Sequence, residues 1–373
     1  MTSGSPEQLT YLSGPVLVIG TGLLGASAAL GLRALGLSVG LRDASPTAQR
    51  VAVDLGAGVA VPPGAAFEPE LVMVATPPDV AAAVVSGALR EFPAATVIDI
   101  ASVKASILRA LLADEALGEE ELSRYVGAHP MAGRERSGPV AARGELFYSA
   151  PWIVVPHAGS SAASVRVAKA AGADLGASVT QMDAEEHDRS VALISHFPQV
   201  ASSLLASRLL DAPGTALALA GNGLRDTTRI AASDPALWIQ ILTHNAPAIV
   251  PILHGLREDL DRLISTLEAP EAPGAVLDLA QLMSEGNQGQ ARIPGKHGAP
   301  PQSFATVGVI VDDKPGQIAR LLSDIGEAGI NIEDLRMEHS AGYQVGLVEI
   351  QVIPGRRDEL EGALSALNWK VVQ

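Results

Sequence analysis

Three short polar segments of this 373-residue chain carry side chains able to do chemistry. In residues 127–138, GAHPMAGRERSG, His129 ends an apolar run and stands directly before Pro130. An imidazole titrates near neutrality and suits proton transfer. A lone His is more often a packed or surface residue, but a position at the ligand edge of a sheet favours a catalytic one. In residues 99–104, DIASVK, Ser102 could hydrogen-bond a substrate hydroxyl or an imidazole, or simply cap a helix. The stretch GNGLRDTTRIAASDPALW, residues 221–238, offers Arg225 and Arg229, whose forked guanidinium groups suit carboxylates. Its Asp226 and Asp234 read as helix caps or salt-bridge partners.

A fourth segment would hold a cofactor. VIGTGLLGAS, residues 18–27, has Gly20, Gly22 and Gly25 between an apolar strand and the opening of a helix. The first Gly permits a tight turn, the second lets backbone approach a pyrophosphate, and the third allows close helix–strand packing. The helix opening at Leu23 and Leu24 then presents free N–H groups to phosphate. The following strand, SVGLRD, ends in Asp43, whose carboxylate can accept from ribose hydroxyls and repel a 2′-phosphate. That favours NAD, while the adjacent Arg42 leaves NADP open. Thr76 and Pro77, in the ATPP turn after the fourth strand, form a candidate wall of the same site, unless the Pro merely opens a helix.

These residues need a sheet to bring them together. PVLVIG, LVMVAT, TVIDIA and APWIVVP read as short, buried, β-branched strands, separated by Ala/Leu-rich helical stretches at 24–35 and 79–91. Such alternation implies an α/β, doubly wound, largely parallel sheet, a Rossmann-type dinucleotide-binding domain over residues 1–182. From Asp183 the strand signals stop, and residues 183–284 read as an all-helical second domain for substrate contacts and dimerisation. It contains expected helices at 190–210, 214–221 and 238–266, the last kinked by Pro247 and Pro251. Residues 285–303, rich in Gly, Pro and Gln, read as a linker. Residues 304–373 then follow a ferredoxin-like βαββαβ order, with strands at 305–311, 330–338 and 345–353, helices at 317–328 and 357–367, and a last short strand.

Composition excludes several functions. A formal net charge of −15 leaves no basic stripe for nucleic acid. With no Cys, neither disulfides nor thiolate metal sites are available, and no metal is expected. No run of about 18 apolar residues suggests a membrane span. The polar opening MTSGSPEQLT lacks a leader's apolar region, so a cytoplasmic location is expected.

GTGLLGAS, SVK, HPMAG-x-E-x-SG, SHFPQ and LRDTTRIAASDPALW, in this order, resemble the prephenate dehydrogenase family over residues 16–282. The resemblance implies NAD-dependent oxidative decarboxylation of prephenate, with arogenate as the alternative substrate. It implies that His129 is the general base, that Ser102 orients substrate or base, and that Arg229 holds a substrate carboxylate. Glu135 matches a gating acid at the site's mouth. Gln199 in SHFPQ stands where some members have a second His, and Asn222 and Arg134 occupy positions that are often smaller residues. With Arg225, these are the candidate substrate contacts. His187 and His196 read as structural.

DDKPGQIARLLSDIGEAGINI, in the tail, resembles an ACT domain, an amino-acid-binding regulatory module. That implies tyrosine feedback, with Gly316 letting backbone approach the ligand and Asn331 facing it at the start of a strand; a purely structural dimerisation module is the alternative. A homodimer is expected. Two rivals are weak. A β-hydroxyacid dehydrogenase would need a Lys on the first long helix of the second domain, and residues 190–210 contain none. A non-catalytic sensor would have lost Ser102, His129 and Arg229, all of which are present.

Overall fold

A computed structural model describes residues 10–133, 138–294, 303–339 and 345–372. It divides into two compact units, residues 1–258 and 259–373.

In the first unit, eight strands form one sheet: β1 (Val16–Ile19), β2 (Val39–Arg42), β3 (Val59–Ala60), β4 (Leu71–Val74), β5 (Thr96–Asp99), β6 (Tyr125–Pro130), β7 (Pro151–Val155) and β8 (Ser178–Gln181). Their order is β3-β2-β1-β4-β5-β6-β7-β8. Neighbours from β3 to β6 are parallel, β7 runs antiparallel to β6, and β8 is parallel to β7. Strands buried on both faces need apolar side chains throughout, which is why β1 and β4 read as unbroken apolar runs rather than alternating ones. On one face Val16, Val18, Leu71, Met73 and Ile98 pack against the helices Leu23–Ala34 and Ala162–Asp174. On the other, Leu17, Val72, Val74 and Val97 pack against the helices Pro78–Glu91 and Ala105–Leu112. Each such side chain contributes about 1.5–3 kcal/mol on full burial. Chain order reverses between β1 and β4, so a crevice opens beyond the C-terminal ends of these strands.

The helical part departs from expectation in two places. An unbroken helix at 190–210 is replaced by the helix Ala184–Val191, a π-helical turn Ala192–His196 and the helix Phe197–Ser207. Pro198 explains the widening: it has no N–H for the carbonyl of Ile194, and its ring crowds that turn. The expected kinked helix at 238–266 is two helices, Pro235–His244 and Ala246–Glu268, parted at Asn245. Pro247 then lies in a first turn, where its missing N–H costs nothing, and only Pro251 is interior. Residues 214–221 contain one short helix, Gly214–Leu217, followed by the helix Asn222–Thr228 and a 3-10 turn Arg229–Ala232.

In the second unit, the helix Ala275–Gln290 runs through the first six residues of the expected linker. The i,i+4 hydrogen bonds Gln281–Glu285 (2.9 Å) and Gln288–Ser284 (3.1 Å) carry it on past Gly286 and Gly289. Beyond it, β9 (Ala305–Asp312), the helix Gln317–Glu327, β10 (Asp334–His339), β11 (Val345–Val352), the helix Arg357–Ala366 and β12 (Lys370–Val372) succeed one another. Their sheet has the order β10-β11-β9-β12, antiparallel throughout. Alternate residues Val307, Val309 and Val311 of β9, and Val348, Ile350 and Val352 of β11, face a core completed by Leu321, Ile325, Leu360 and Leu364. The strand expected from Ile330 begins at Asp334, because Gly329 (φ +67°) turns the chain and Ile330 is buried in the core before pairing starts.

Candidate active site

The glycine turn is a close-packed cradle. Gly20 has φ +99°, and a Cβ there would lie 2.4 Å from the Ala75 carbonyl oxygen. A Cβ on Gly25 would come within 1.9 Å of the Gly20 carbonyl oxygen. Among the described residues nothing lies within 4 Å of a Cβ on Gly22, which caps the helix Leu23–Ala34, so the backbone faces open space where a phosphate would sit. Just past β4, the Thr76 Oγ1 atom is buried without a partner among the described residues, as a hydroxyl awaiting a ligand would be; Pro77 beside it precedes the helix. Asp43, just past β2, accepts from the Thr21 N–H at 2.6 Å and the Thr21 hydroxyl at 2.8 Å, and its other oxygen accepts from the Ser45 N–H at 2.7 Å. The carboxylate is thus fixed against the glycine turn. These residues fit a dinucleotide.

Further along the same edge, β6 delivers His129, buried, near its end. Its Nδ1 lies 2.8 Å from Nε2 of His187, and the Nδ1 of His187 lies 2.8 Å from Oδ1 of Asp188. Asp188 is an acceptor only, so His187 donates from Nδ1 and its Nε2 is bare. His129 must then donate from Nδ1, which leaves the lone pair on its Nε2. The chain of bonds therefore ends in a proton acceptor.

Asp188 is itself anchored by the N–H groups of Lys104 and Ala105, each at 2.9 Å. It thereby caps the helix Ala105–Leu112 from another element, which removes one of the two roles open to Ser102: it is not that helix's cap. Ser102 is half-buried, and its hydroxyl has no partner among the described residues. Burial opposes ionisation of Asp188, but the hydrogen bonds from His187, Ala105 and Lys104 together outweigh it, and the carboxyl titrates below its ordinary range. His129 is held well below the ordinary imidazole value, first by burial and then by the neighbouring His187, Lys104 and His196. It is therefore neutral, and a base, at physiological pH.

Beneath this chain lies a second buried network. Lys104 donates from Nζ to Asp99 and, at 2.7 Å, to the carbonyl of Ala128, next to His129. The Tyr125 hydroxyl donates to the other oxygen of Asp99 at 2.7 Å. Burial, opposed by Asp99 and Asp188, pulls the Lys104 pKa down. The Asn245 amide donates to the Asp188 carbonyl at 2.8 Å and meets the Nδ1 of His196 at 3.0 Å. Burial lowers His196 to about 4.

Sequence reasoning missed Asp188, Lys104 and Asn245 and read His187 as structural. The available signal was the run Glu185-Glu186-His187-Asp188, opening a helix just past β8.

Of the substrate candidates, Gln199 is buried on the helix Phe197–Ser207; its amide donates to Ser203 at 3.4 Å and accepts from Ser233 at 3.4 Å. The 3-10 turn that begins at the exposed Arg229 packs on this same helix. Arg225 is exposed, and Asn222, half-buried, opens the helix Asn222–Thr228. Asp234 caps the helix Pro235–His244 through the Ala236 N–H at 2.9 Å, whereas Asp226 is exposed and forms no salt bridge among the described residues. Arg134 and Glu135 lie outside the described residues. In the second unit, Gly316 (φ +86°) opens the helix Gln317–Glu327. Asn331 lies in the loop before β10 rather than on the strand, exposed, with its amide 2.9 Å from Glu333.

The family description "Prephenate dehydrogenase, nucleotide-binding domain" matches residues 28–181, and "Prephenate dehydrogenase, dimerization domain" matches residues 183–285. The chain belongs to the prephenate dehydrogenase family. It is 36% identical to the probable prephenate dehydrogenase NovF of Streptomyces niveus over 360 residues, 95% of this chain and 98% of that one. With the prephenate dehydrogenase of Bacillus subtilis it shares 26% over 344 residues, 88% of this chain and 89% of that one. Among solved structures, the A. aeolicus prephenate dehydrogenase in complex with hydroxyphenyl propionate and NAD+ is 27% identical. It superposes with a TM-score of 0.64 over 74% of this chain and 98% of that one. The Synechocystis arogenate dehydrogenase is 26% identical, with a TM-score of 0.59 over 74% and 99%.

Proposed function

We propose that this chain catalyses the NAD-dependent oxidative decarboxylation of prephenate to 4-hydroxyphenylpyruvate, a step towards tyrosine. The observation that carries this reading is the bond chain Asp188–His187–His129, which leaves Nε2 of His129 free to take a proton. Prephenate is a cyclohexadiene with a ring hydroxyl, a ring carboxylate and a keto-acid side chain. When bound on the glycine turn and Asp43, NAD+ supplies the hydride acceptor. His129 takes the hydroxyl proton as the hydride leaves that carbon, the ring carboxylate leaves as CO2 with its electron pair completing the aromatic ring, and His129 returns the proton to the resulting phenolate oxygen. A base so placed contributes about 10²–10⁴-fold. As His129 becomes cationic, the Asp188 carboxylate stabilises the charge through His187. Ser102, with its hydroxyl unpartnered among the described residues, orients the substrate hydroxyl, and Arg229 and Gln199 hold the substrate's carboxylate end, with Arg225 and Asn222 as further contacts and Glu135 keeping the gating role that the resemblance implies.

Arogenate, with an amino acid in place of the keto acid, is a second reading, supported by the likeness to the Synechocystis arogenate dehydrogenase. Offering both substrates with NAD+ separates the two; turnover of arogenate alone would reverse the assignment.

The exposed Leu193, Ile194, Leu210, Leu219 and Ile239, within the region matching the dimerisation description, support a homodimer that covers them. No single helix among the described residues is long and apolar enough to cross a membrane, and a cytoplasmic enzyme is the reading we adopt. The strand order β10-β11-β9-β12 supports a ferredoxin-like, ACT-type tail over residues 304–373, with tyrosine as its ligand near Gly316 and Asn331. Inhibition of the full chain by millimolar tyrosine, absent in a chain ending at Gln290, is the expected result; equal inhibition of both would place tyrosine elsewhere.

A further inference from the structure

Arg42 and Asp43 end the second strand side by side, and their charges would favour opposite cofactors. An arginine here can pair with the 2′-phosphate that distinguishes NADP+, whereas a carboxylate accepts from the free hydroxyl of NAD+ and repels the phosphate. The two side chains have opposite fates. Asp43 is held on the glycine turn by Thr21 and Ser45. Arg42 is turned to the other side of the strand end. There its Nη1 donates to Glu91 at 2.7 Å, its Nε to the Val61 carbonyl at 3.0 Å and its Nη2 to the Pro62 carbonyl at 3.3 Å. Its guanidinium also lies over the Phe92 ring, 5.3 Å from the centroid. Only 12% of the Arg42 side chain is exposed, against 40% for Glu91 at the end of the helix Pro78–Glu91. The carbonyls and the ring are neutral, so Glu91 is the anionic partner that holds this cation in place.

We propose that Glu91 is a specificity-determining residue for the cofactor: by holding Arg42 against Val61, Pro62 and Phe92, it leaves Asp43 alone to read the adenosine ribose, so that NAD+ is taken and NADP+ refused. The proposal rests on the dinucleotide reading of the glycine turn. It explains how an arginine beside the ribose acid coexists with NAD+ selection: the residue type is present, and its conformation withholds it.

The test is calorimetric binding of NAD+ and NADP+ to the full chain, without turnover. Glu91→Ala alone should leave the NAD+ Kd within about twofold of wild type, because Asp43 is untouched. Asp43→Ser should weaken NAD+ by about tenfold, the scale of one charge-assisted hydrogen bond. Asp43→Ser/Glu91→Ala should bind NADP+ about tenfold or more tightly than Asp43→Ser does, since the released Arg42 meets the phosphate. Adding Arg42→Ala should abolish that gain. The proposal is overturned if the double variant binds NADP+ no better than Asp43→Ser. It is also overturned if the gain survives Arg42→Ala, since Glu91 would then act by its own charge. Glu91→Gln, which keeps the shape and removes the charge, must reproduce the gain in the Asp43→Ser background, and thermal melts confirm that each variant is folded. Wild-type chain that binds neither dinucleotide would instead sink the cofactor reading beneath the proposal.

Discussion

Replacing Asp188 by Asn tests the bond chain at its root without touching substrate or cofactor. In the native chain the carboxylate uses Oδ1 for both His187 Nδ1–H (2.8 Å) and the Lys104 N–H (2.9 Å), and Oδ2 for the Ala105 N–H (2.9 Å). An amide has one acceptor oxygen and an NH2 that can only donate. If the oxygen keeps the backbone bond to Ala105, the NH2 faces His187. That ring then accepts at Nδ1, carries its proton on Nε2 and donates it to Nδ1 of His129. His129 is left with its own proton on Nε2, where the substrate hydroxyl proton must go. The wrong tautomer removes the base, so kcat should fall by about 10²–10⁴-fold, the whole contribution of general-base catalysis. If the oxygen keeps His187 and Lys104 instead, kcat is spared and the NH2 meets the Ala105 N–H; in either orientation one buried backbone donor, of Lys104 or of Ala105, is left unpaired at a cost of about 1–3 kcal/mol of stability. Steady-state kinetics paired with a thermal melt and NAD+ titration separate the two outcomes. Unaltered kcat in a folded variant with unaltered melting would refute the tautomer argument.

Three other perturbations probe separate parts of the account. Gly22→Ala meets nothing within 4 Å in the free protein, so melting should be unchanged while NAD+ affinity drops at least about tenfold, read by calorimetry; unchanged affinity would move the pyrophosphate elsewhere. Arg229→Gln should lower kcat/KM by about 10²-fold, the scale of 2–4 kcal/mol for a lost charge-assisted carboxylate pair, with the NAD+ Kd unchanged. The pH dependence follows from His129, His187 and His196, which all titrate below the ordinary imidazole value, chiefly because burial disfavours the cation. Unfolded, they take up protons below about pH 6.5, and the folded chain refuses them until lower pH, down to about 4 for His196. Their stabilising contribution is whole above pH 6.5 and lost as the pH falls through the folded values. Tm should therefore drop between pH 7 and 5, less steeply in His196→Asn, and the acid limb of kcat/KM should lie below 6.5.

Much of the nucleotide-binding part was legible because its determinants are local. A glycine that must take φ +99°, a strand buried on both faces and an acidic residue at a strand end each leave a mark within a few residues. The glycine turn and its strand–helix setting therefore read directly. The helical part read less well. Pro198 was visible, but propensity does not say whether a proline stops, kinks or widens a helix, and here it produces a π turn. Pro247 was read as a kink and instead lies in a first turn, because Asn245 leaves the helix to bond Asp188 and His196 across 57 and 49 residues. The same long range hid the base's support. His129 and His187 are 58 residues apart, and Lys104 and Asp188 are 84 apart, so no spacing rule links them. Arg42 shows the converse: its type and place were evident, but only the positions of Glu91 and Phe92 show where its charge is spent.

Following absorbance at 340 nm when the purified full chain is given prephenate and NAD+ is the most direct test of the activity, alongside His129→Asn, which keeps a polar group at the Nδ1 position but supplies no base. The account predicts NADH formation matched mole for mole by CO2 and 4-hydroxyphenylpyruvate in the wild type, and a rate lower by about 10²–10⁴-fold in the variant at unchanged NAD+ affinity. Wild-type chain that binds NAD+ yet turns over neither prephenate nor arogenate, or a variant as fast as wild type, would contradict it.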